Sequence, residues 1–546
     1  MRVSTLALTV SPLLAVTCAR VTGNLTEHAR DLFDYSMSVN DERFDQSYGY
    51  VWYPDNGPWS VRFTSWYVPG LLYRNQGNDL ANAHKALKSI LAAQMNHDFS
   101  SAWYGTWKLS PDEPNPTPDS DLYSPEIYGT YDPNWREFVG SQLVQVVAEF
   151  EGLLEPDLVS EIESSLAHAA VGAMRRNGTF PEGDNLILGY SNPAYMRALV
   201  VGWIGERLNN STFIDFANKQ GTQLLELFTA NGSNTLSEYN CPNYYGEDIW
   251  ALAANIKYGP KEATLTRNSV YVLEELWKDV ADHYNPYLGN LAGPYDRANA
   301  RDMPTHSAIL GQFWWGLFGS EKAPLPWKGN DDMRYDIAQG PALALIMDTV
   351  GSAISNATAR KLNEPFEEER FLNKTIRDGL DTDILRIATS WLSKPLMIGG
   401  QQLAETVHRG KQFTPAIVHW ASDPAHTPFP YSGWFSLYPT ATTINAVAGP
   451  GTLDITYPNT TQSGTDTFQF LLAGIPPTWS LSGNVVDGFE NLPCLDVNIS
   501  APGLERLNTS YFGNTIYNHW YYNITYVVPG NFSGTPKVSF EFDYTC

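Results

Sequence analysis

The strongest constraint on the fold is a change of hydrophobic pattern near residue 394. From Thr26 to about Lys394, apolar residues recur at helical spacing in segments of roughly 12 to 20 residues, separated by turns rich in Gly, Pro, Asn and Asp. About a dozen such segments over roughly 370 residues is the number that six helical hairpins need. The predicted helices are Glu27–Val39, Leu80–Met95, Trp135–Leu154, Asp157–Arg175, Asn192–Leu208, Thr212–Thr229, Asp248–Lys257, Glu262–His283, Thr305–Phe318, Ala338–Ser355 and Asp381–Leu392.

The pattern after Met397 is that of strands. Apolar and polar residues alternate, Thr and Val are frequent, and Pro-Gly turns divide the segments, as in Thr442–Val447 and Lys537–Tyr544. This pattern predicts an antiparallel β region. We therefore expect a helical domain over residues 20–396 and a β domain over residues 397–546.

The first residues have the pattern of a secretory signal. Arg2 is followed by a largely apolar run from Leu6 to Leu14 and by the small-residue segment Thr17–Ala19. We expect residues 1–19 to be removed and the mature protein to be secreted. Asn-x-Ser/Thr acceptors indicate a glycoprotein. They are Asn24, Asn177, Asn209, Asn210, Asn231, Asn356, Asn373, Asn459, Asn498, Asn508, Asn523 and Asn531.

Charge and cysteine content limit the partners and cofactors. The net charge of -24, without a Lys/Arg cluster, argues against nucleic acid and anionic membranes, and no later apolar run is long enough to span a bilayer. Cys494 and Cys546 are expected to form a disulfide, whereas Cys241 is expected to be a buried small residue. We expect the protein to be a monomer. No cofactor is expected, because the sequence contains no His-Glu-x-x-His zinc motif and no Gly-rich phosphate loop.

The stretch from Ser237 to Leu252 combines carboxylates, phenols and an amide before an apolar helix. Pro242 and Gly246 predict that these polar groups lie on a loop that leads into the helix. The loops between the other predicted helices are rich in aromatic residues, and exposed rings stack on sugar faces. We expect Trp103 and Trp107 to contact a substrate.

Three motifs carry a resemblance to a known group of enzymes. They are Glu-Tyr-Asn-x-Pro-x-Tyr-Tyr-Gly-x-Asp at Glu238–Asp248, Tyr-Asp-Arg at Tyr295–Arg297 and Trp-Trp-Gly at Trp314–Gly316. With the helix-then-strand order, they resemble the secreted polysaccharide lyases and related six-hairpin glycosidase-like proteins of microbes. The resemblance implies an incomplete (α/α)6 toroid followed by an antiparallel β-sheet or sandwich domain.

The side chains of these motifs suit β-elimination from a uronate polymer. Such a reaction needs a group that neutralises the carboxylate, a base for the α-proton, and an acid for the leaving oxygen. The candidate roles are Asn192 or Asn240 to polarise the acid, His306 or a neighbouring Tyr as base, and Tyr244 or Tyr245 as acid. Arg297 and Arg301 would bind the substrate carboxylate. Glu238 and Asp248 are also expected to contact the substrate.

Two other functions remain open at this stage. A glycoside hydrolase on the same scaffold needs two facing carboxylates, for which the candidates are Glu238, Asp248, Asp184, Asp296 and Asp302. A cyclase, dehydratase or isomerase would use the aromatic residues as a closed apolar cavity around a small natural product.

Overall fold

The computed structural model describes residues 24–53, 58–179, 184–298, 303, 308–324, 336–377, 385–403, 413–459, 466–514 and 519–546. The predicted signal segment lies outside these residues, as do the candidate residues Arg301, Asp302 and His306.

The described helices lie mainly in the N-terminal two thirds of the chain. None of them combines the length and the apolar character needed to cross a bilayer. The α-helices are α1 Glu27–Arg43, α2 Val61–Arg74, α3 Asp79–Ala92, α4 Trp135–Phe150, α5 Pro156–Met174, α6 Ser191–Arg207, α7 Ser211–Phe228, α8 Pro242–Tyr258, α9 Thr264–His283, α10 Ala308–Phe318, α11 Gly340–Ala344, α12 Met347–Ser352, α13 Asn356–Asn363 and α14 Pro477–Leu481.

The long helices form an inner and an outer layer. In the inner layer, α2, α4, α6, α8 and α10 pack against one another in chain order, and α10 also contacts α1. The inner helices α4, α6 and α8 are buried around almost their whole circumference. The outer helices α3, α5, α7 and α9 bury only one face each. The predicted helical toroid is confirmed by this arrangement.

Several helix predictions need correction. α8 begins at Pro242 rather than at Asp248, because proline is well tolerated in the first turn of a helix. The predicted helix Asp381–Leu392 is wrong, since Leu385–Leu392 is a strand paired on both sides. α2 was not predicted; it is buried on nearly all sides and contains Pro69, so its sequence has no amphipathic pattern. The predicted helix Ala338–Ser355 is divided into α11 and α12.

The described strands form one large antiparallel sheet, one small three-stranded sheet and one two-stranded sheet. The small sheets contain β1 Phe44–Asp45, β2 Tyr50–Trp52, β3 Trp59–Ser60, β4 Tyr284–Asn285 and β5 Asn290–Leu291. The large sheet contains β6 Arg370–Arg377, β7 Leu385–Leu392, β8 Leu396–Leu403, β9 Ala416–Asp423, β10 Tyr431–Pro439, β11 Ile444–Gly449, β12 Thr452–Thr456, β13 Thr467–Ala473, β14 Leu495–Ser500, β15 Glu505–Arg506, β16 Ser510–Asn514, β17 His519–Val527 and β18 Lys537–Tyr544.

The order along the large sheet is β14-β18-β12-β11-β8-β9-β10-β13-β17-β15, with β7 on β8, β6 on β7 and β16 on β17. The predicted antiparallel β domain is confirmed. β6 and β7 precede residue 397, so the sheet begins earlier in the chain than the change of pattern suggests. The predicted disulfide is present between Cys494 and Cys546 and ties the C-terminus to the start of β14.

The two domains meet through both apolar and polar contacts. One cluster of buried side chains lies between the strands alone, whereas the main helical cluster also includes the β-domain side chains of Ile417, Trp434 and Leu471. At their junction, the backbone of Tyr295 pairs with that of Thr414 in both directions. The Tyr295 hydroxyl also lies 3.0 Å from Nε2 of His419 on β9. The segment around Tyr295 is therefore fixed by the β domain.

Candidate functional site

The turn before α8 determines the position of the predicted site. Asn240 has a φ of 43°, in the left-handed region that Asn tolerates better than most residues. Its side-chain amide donates to the carbonyl oxygens of Ala292 and Pro294, at 2.7 and 2.9 Å. Its backbone N–H donates to the hydroxyl of Tyr245, at 2.6 Å. Asn240 and Tyr245 are both buried, and their contacts hold the turn against the segment that carries Arg297.

Tyr244, Glu247 and Asp248 lie on α8 itself rather than on the predicted loop. Gly246 also has a different role from the predicted bend, because it lies inside α8. A Cβ atom there would lie 2.5 Å from the backbone nitrogen of Leu310 and 2.7 Å from the carbonyl carbon of Ile309, so glycine permits close packing of α8 on α10.

Arg297 is the centre of a cluster of polar groups that is partly accessible to solvent. Its Nη1 donates to Oε1 of Glu238 at 2.8 Å, and its Nη2 donates to the hydroxyl of Tyr244 at 2.8 Å. The guanidinium carbon also lies 3.9 Å from the ring centroid of Tyr244 and 5.4 Å from that of Tyr190. About a quarter of the Arg297 side chain is exposed to solvent. The structure thus brings together three residues of two separate sequence motifs.

Burial and the positive charge of Arg297 shift the pKa values of Tyr244 and Glu238 in opposite directions. Burial raises the pKa of Tyr244 to about 12, although the positive charge of Arg297 opposes this shift. Burial also raises the pKa of Glu238, and Arg297 again opposes it. At neutral pH Tyr244 therefore carries its proton, hydrogen-bonded to a permanent cation.

Tyr128 and Asn185 complete the exposed side of the cluster and were not predicted from the sequence. Tyr128, with 53% of its surface exposed, accepts hydrogen bonds from the side-chain amides of Asn134, at 3.0 Å, and Asn185. Its phenol is close enough to Tyr190 and Tyr244 to contribute to the raised pKa of both.

A buried arginine holds these two amides in place. Arg176 donates to Oδ1 of Asn134 at 2.9 Å and to Oδ1 of Asn185 at 3.1 Å. It also pairs with Asp184 at 2.7 Å and with Glu137 at 3.1 Å, and all three charged side chains are inaccessible to solvent. Because both amide oxygens accept from Arg176, both NH2 groups are oriented toward Tyr128. Asp184, a carboxylate considered for hydrolysis, is thus part of this buried support.

Other predicted residues are mostly buried rather than accessible. Asn192 and Asp248 are fully buried, and the polar side-chain atoms of both lack hydrogen-bond partners within the described structure. Burial, together with the negative charge of Glu238, raises the pKa of Asp248 well above its usual value. Trp107 is in the hydrophobic core, which prevents the expected contact with a substrate, whereas Trp103 is half-buried beside Tyr131. Cys241 is free and buried, as expected.

A cavity of about 330 Å³ is lined in part by Tyr128. Its walls also include Tyr53, Arg62, Trp66, Asp132 and Asp336. Arg62 pairs with Glu247 of α8 at 3.2 Å. Burial raises the pKa of Glu247 to about 7 and that of Asp336 to about 6. In the part of the chain that is described, no group of three or more His, Cys, Asp or Glu side chains is placed to hold a metal ion.

The sequence of the helical domain shows which family the chain belongs to. The model of the family described as "Domain of unknown function (DUF8769)" matches residues 30–348, more than half of the chain. The chain belongs to the DUF8769 family. A second model, "Domain of unknown function (DUF8770)", matches residues 368–543, which correspond to the β domain. No curated protein matches the DUF8769 chain.

Solved structures similar to the DUF8769 chain share about a tenth of its sequence. Heparinase III is 10% identical with a TM-score of 0.40, over 98% of this chain and 88% of that one. The Streptomyces coelicolor A3 chondroitin AC lyase, in complex with chondroitin sulphate, is 10% identical with a TM-score of 0.39, over 94% and 80%. The heparan sulfate lyase HepC of Pedobacter heparinus is 10% identical with a TM-score of 0.29, over 96% and 84%.

Proposed function

We propose that this protein cleaves a uronate-containing polysaccharide by β-elimination. The observation that carries this proposal is the accessible pair of Tyr244 and Arg297, a protonated phenol hydrogen-bonded to a permanent cation. β-Elimination removes the proton α to the uronate carboxylate and breaks the bond to the glycosidic oxygen at the β carbon. It therefore requires a cation near the carboxylate and an acid near the leaving oxygen.

Arg297 supplies the cation. Arginine keeps its charge at all physiological pH values and has five N–H donors, so it can bind a carboxylate while retaining its contacts to Glu238 and Tyr244. Neutralising the carboxylate stabilises the negative charge that spreads onto it when the α-proton leaves. Glu238 acts as the positioning residue for this guanidinium.

Tyr244 supplies the acid. With a pKa of about 12 it is protonated at neutral pH, and it lies beside the group that binds the uronate. Its proton passes to the glycosidic oxygen as the bond to the β carbon breaks. The positive charge of Arg297 stabilises the phenolate that remains until the proton is replaced from solvent.

Tyr128 is our candidate for the base, in place of His306, which lies outside the described residues. The amide N–H groups of Asn134 and Asn185 both point to the Tyr128 oxygen. These two donors fix the position of the Tyr128 oxygen, which would take up the α-proton. The half-exposed position of Tyr128 allows it to contact a polymer that lies along the surface.

The geometry favours this reaction over the two alternatives. Of the carboxylates considered for hydrolysis, Glu238, Asp184 and Asp296 each bind an arginine, and Asp248 is fully buried. A closed cavity for a small molecule is also disfavoured, because the phenol of Tyr128 is at the surface.

We further propose that the protein acts outside the cell. Three features support this location. They are the signal-like pattern of residues 1–19, the disulfide and the surface positions of the Asn-x-Ser/Thr acceptors. Ten of those twelve asparagines are exposed, while Asn210 and Asn523 are half-buried. An attached glycan would thus not require the helical or β core to open.

The experiment is a screen of uronate polymers for the unsaturated, ultraviolet-absorbing product that elimination forms and hydrolysis does not. With an active substrate, Tyr244→Phe should lower kcat by about 10²–10⁴-fold, the usual contribution of a proton donor. Tyr271→Phe is the matched control, since Tyr271 is exposed on α9. Absence of product across the panel, or full activity of Tyr244→Phe, would overturn the proposal.

A further inference from the structure

The cavity beside Tyr128 has two properties of a sugar-binding subsite. Its volume of about 330 Å³ lies within the range of small-molecule pockets. Aromatic rings form much of its wall, among them Tyr53, Trp66 and Trp135. Flat aromatic faces bind the apolar face of a pyranose ring, and polar groups at their edges fix its orientation.

The charges around this cavity favour a cation. Asp132 and Asp336 line it, whereas Arg62 is the one basic side chain among its described lining residues. The guanidinium of Arg62 already pairs with the buried carboxyl of Glu247 and lies 3.9 Å from the ring centroid of Phe138. Its charge is therefore partly satisfied within the protein. A carboxylated or sulfated group would meet the two aspartates, whereas an ammonium would pair with them.

The wall of this cavity also contains the buried indole of Trp66. Trp66 is only 1% exposed, and its indole N–H has no hydrogen-bond partner within the described structure. Nε of Arg62 is buried and likewise lacks a partner there. Because both atoms are closed off from solvent, recognition in this cavity depends on the aromatic faces and on the two aspartates.

The cavity is next to the proposed reaction centre. Tyr128 lines the cavity, and its phenol is close enough to Tyr190 and Tyr244 to contribute to the raised pKa of both. Arg62 of the cavity and Tyr244 of the cluster are joined through α8, since Glu247 lies one helical turn after Tyr244. A chain with its uronate at Arg297 therefore places an adjoining sugar at the cavity.

We infer that this cavity binds an amino sugar with a free, protonated amine, next to the uronate in the polymer. The inference rests on the proposed function and specifies its substrate class. The ammonium pairs with Asp132 and Asp336, and the ring packs on the aromatic wall. A sulfate or carboxylate on that sugar is rejected by the same two aspartates. N-acetylation weakens binding because it removes the charge and adds bulk.

The test uses binding alone and needs no turnover. The intact protein is titrated calorimetrically with a tetrasaccharide of β-1,4-linked glucosamine and with its fully N-acetylated counterpart. Intrinsic tryptophan fluorescence of the protein provides a second readout, because Trp66 and Trp135 line the cavity. We expect the free-amine ligand to bind about tenfold or more tightly than the acetylated one, the effect of one or two charge-assisted contacts.

Single-charge variants separate the cavity from the general negative charge of the protein. Asp132→Asn and Asp336→Asn should each weaken binding of the free-amine ligand by about fivefold or more, within the range for one partly exposed ion pair. Asp543→Asn on the exposed side of β18 makes the same change in net charge and should leave the affinity unchanged. Circular dichroism spectra of all three variants should match that of the wild type.

The outcomes distinguish this inference from the proposed function. Equal affinity for the two tetrasaccharides, no binding of either, or equal effects of the three variants would overturn the inference even if a uronate polymer is cleaved. Preferential binding of the free-amine ligand, lost in the two cavity variants, supports it even if the uronate screen yields no product.

Discussion

Asp296 and Arg386 form a buried ion pair that joins the helical and β domains. Nη1 of Arg386 lies 2.6 Å from Oδ1 and 2.5 Å from Oδ2 of Asp296. The second oxygen of Asp296 also accepts from the backbone N–H of Tyr239, next to Glu238 and Asn240. Because Asp296 directly precedes Arg297, this pair fixes the chain on both sides of the Arg297–Glu238 contact. The β domain thus takes part in positioning the proposed site.

Loss of this pair should destabilise the protein strongly. Arg386→Met leaves the Asp296 carboxylate buried without its cation, which costs about 3–5 kcal/mol of unfolding free energy. Arg506→Met breaks the exposed Arg506–Glu490 pair and should cost less than about 1 kcal/mol. Urea unfolding of the two variants measures the difference. Equal unfolding free energies of the two variants would show that the interdomain pair contributes no more to stability than the exposed pair.

Stability should also depend on the protonation of Glu247. Burial raises its pKa from 4.5 to about 7, so the folded protein binds this proton more tightly than the unfolded chain. The resulting contribution to stability is complete below pH 4.5 and is lost as the pH rises through about 7. The shift corresponds to a change of about 3 kcal/mol.

Glu247→Gln removes this titration while keeping an oxygen acceptor for Arg62. Between about pH 5 and pH 7.5, the unfolding free energy of this variant should therefore fall less than that of the wild type. The difference between the two slopes should correspond to the uptake of about one proton. Glu161→Gln on the exposed face of α5 serves as control. Identical pH profiles for wild type and Glu247→Gln would contradict the assignment.

The Cys494–Cys546 disulfide should stabilise the β domain. It links residues 52 apart in the sequence and holds the C-terminal segment after β18 against the start of β14. Replacing both cysteines with serine should lower the unfolding free energy by about 2–4 kcal/mol. The free thiol of Cys241 provides the control, because Cys241→Ala changes no cross-link. The double variant should differ from the wild type only under non-reducing conditions.

The order of the domains could be predicted from the sequence, because periods of about 3.6 and 2 residues differ over long stretches. The strand Leu385–Leu392 could not be predicted from the sequence. Its apolar residues fit either period, and only pairing with β6 and β8 makes it a strand. α2 was missed for the opposite reason, since burial on all sides removes the polar face that identifies a helix.

The site was only partly predictable. The composition of Ser237–Leu252 and the Tyr-Asp-Arg motif identified Glu238, Tyr244 and Arg297, which the structure brings within hydrogen-bonding distance. Tyr128 and Asn185 come from separate loops, and no local pattern indicates that Arg176 orients Asn185. The helical spacing of Tyr244 and Glu247 was a usable signal, but it required α8 to be started at Pro242.

The most direct test of the account concerns Arg297. Arg297→Lys keeps the positive charge but loses the planar set of donors that contacts Glu238 and Tyr244. The measurement is kcat/KM for formation of the unsaturated product from the most active uronate polymer. We predict a loss of about 10²-fold or more for Arg297→Lys. A value within about threefold of the wild type would contradict a role for Arg297 in elimination.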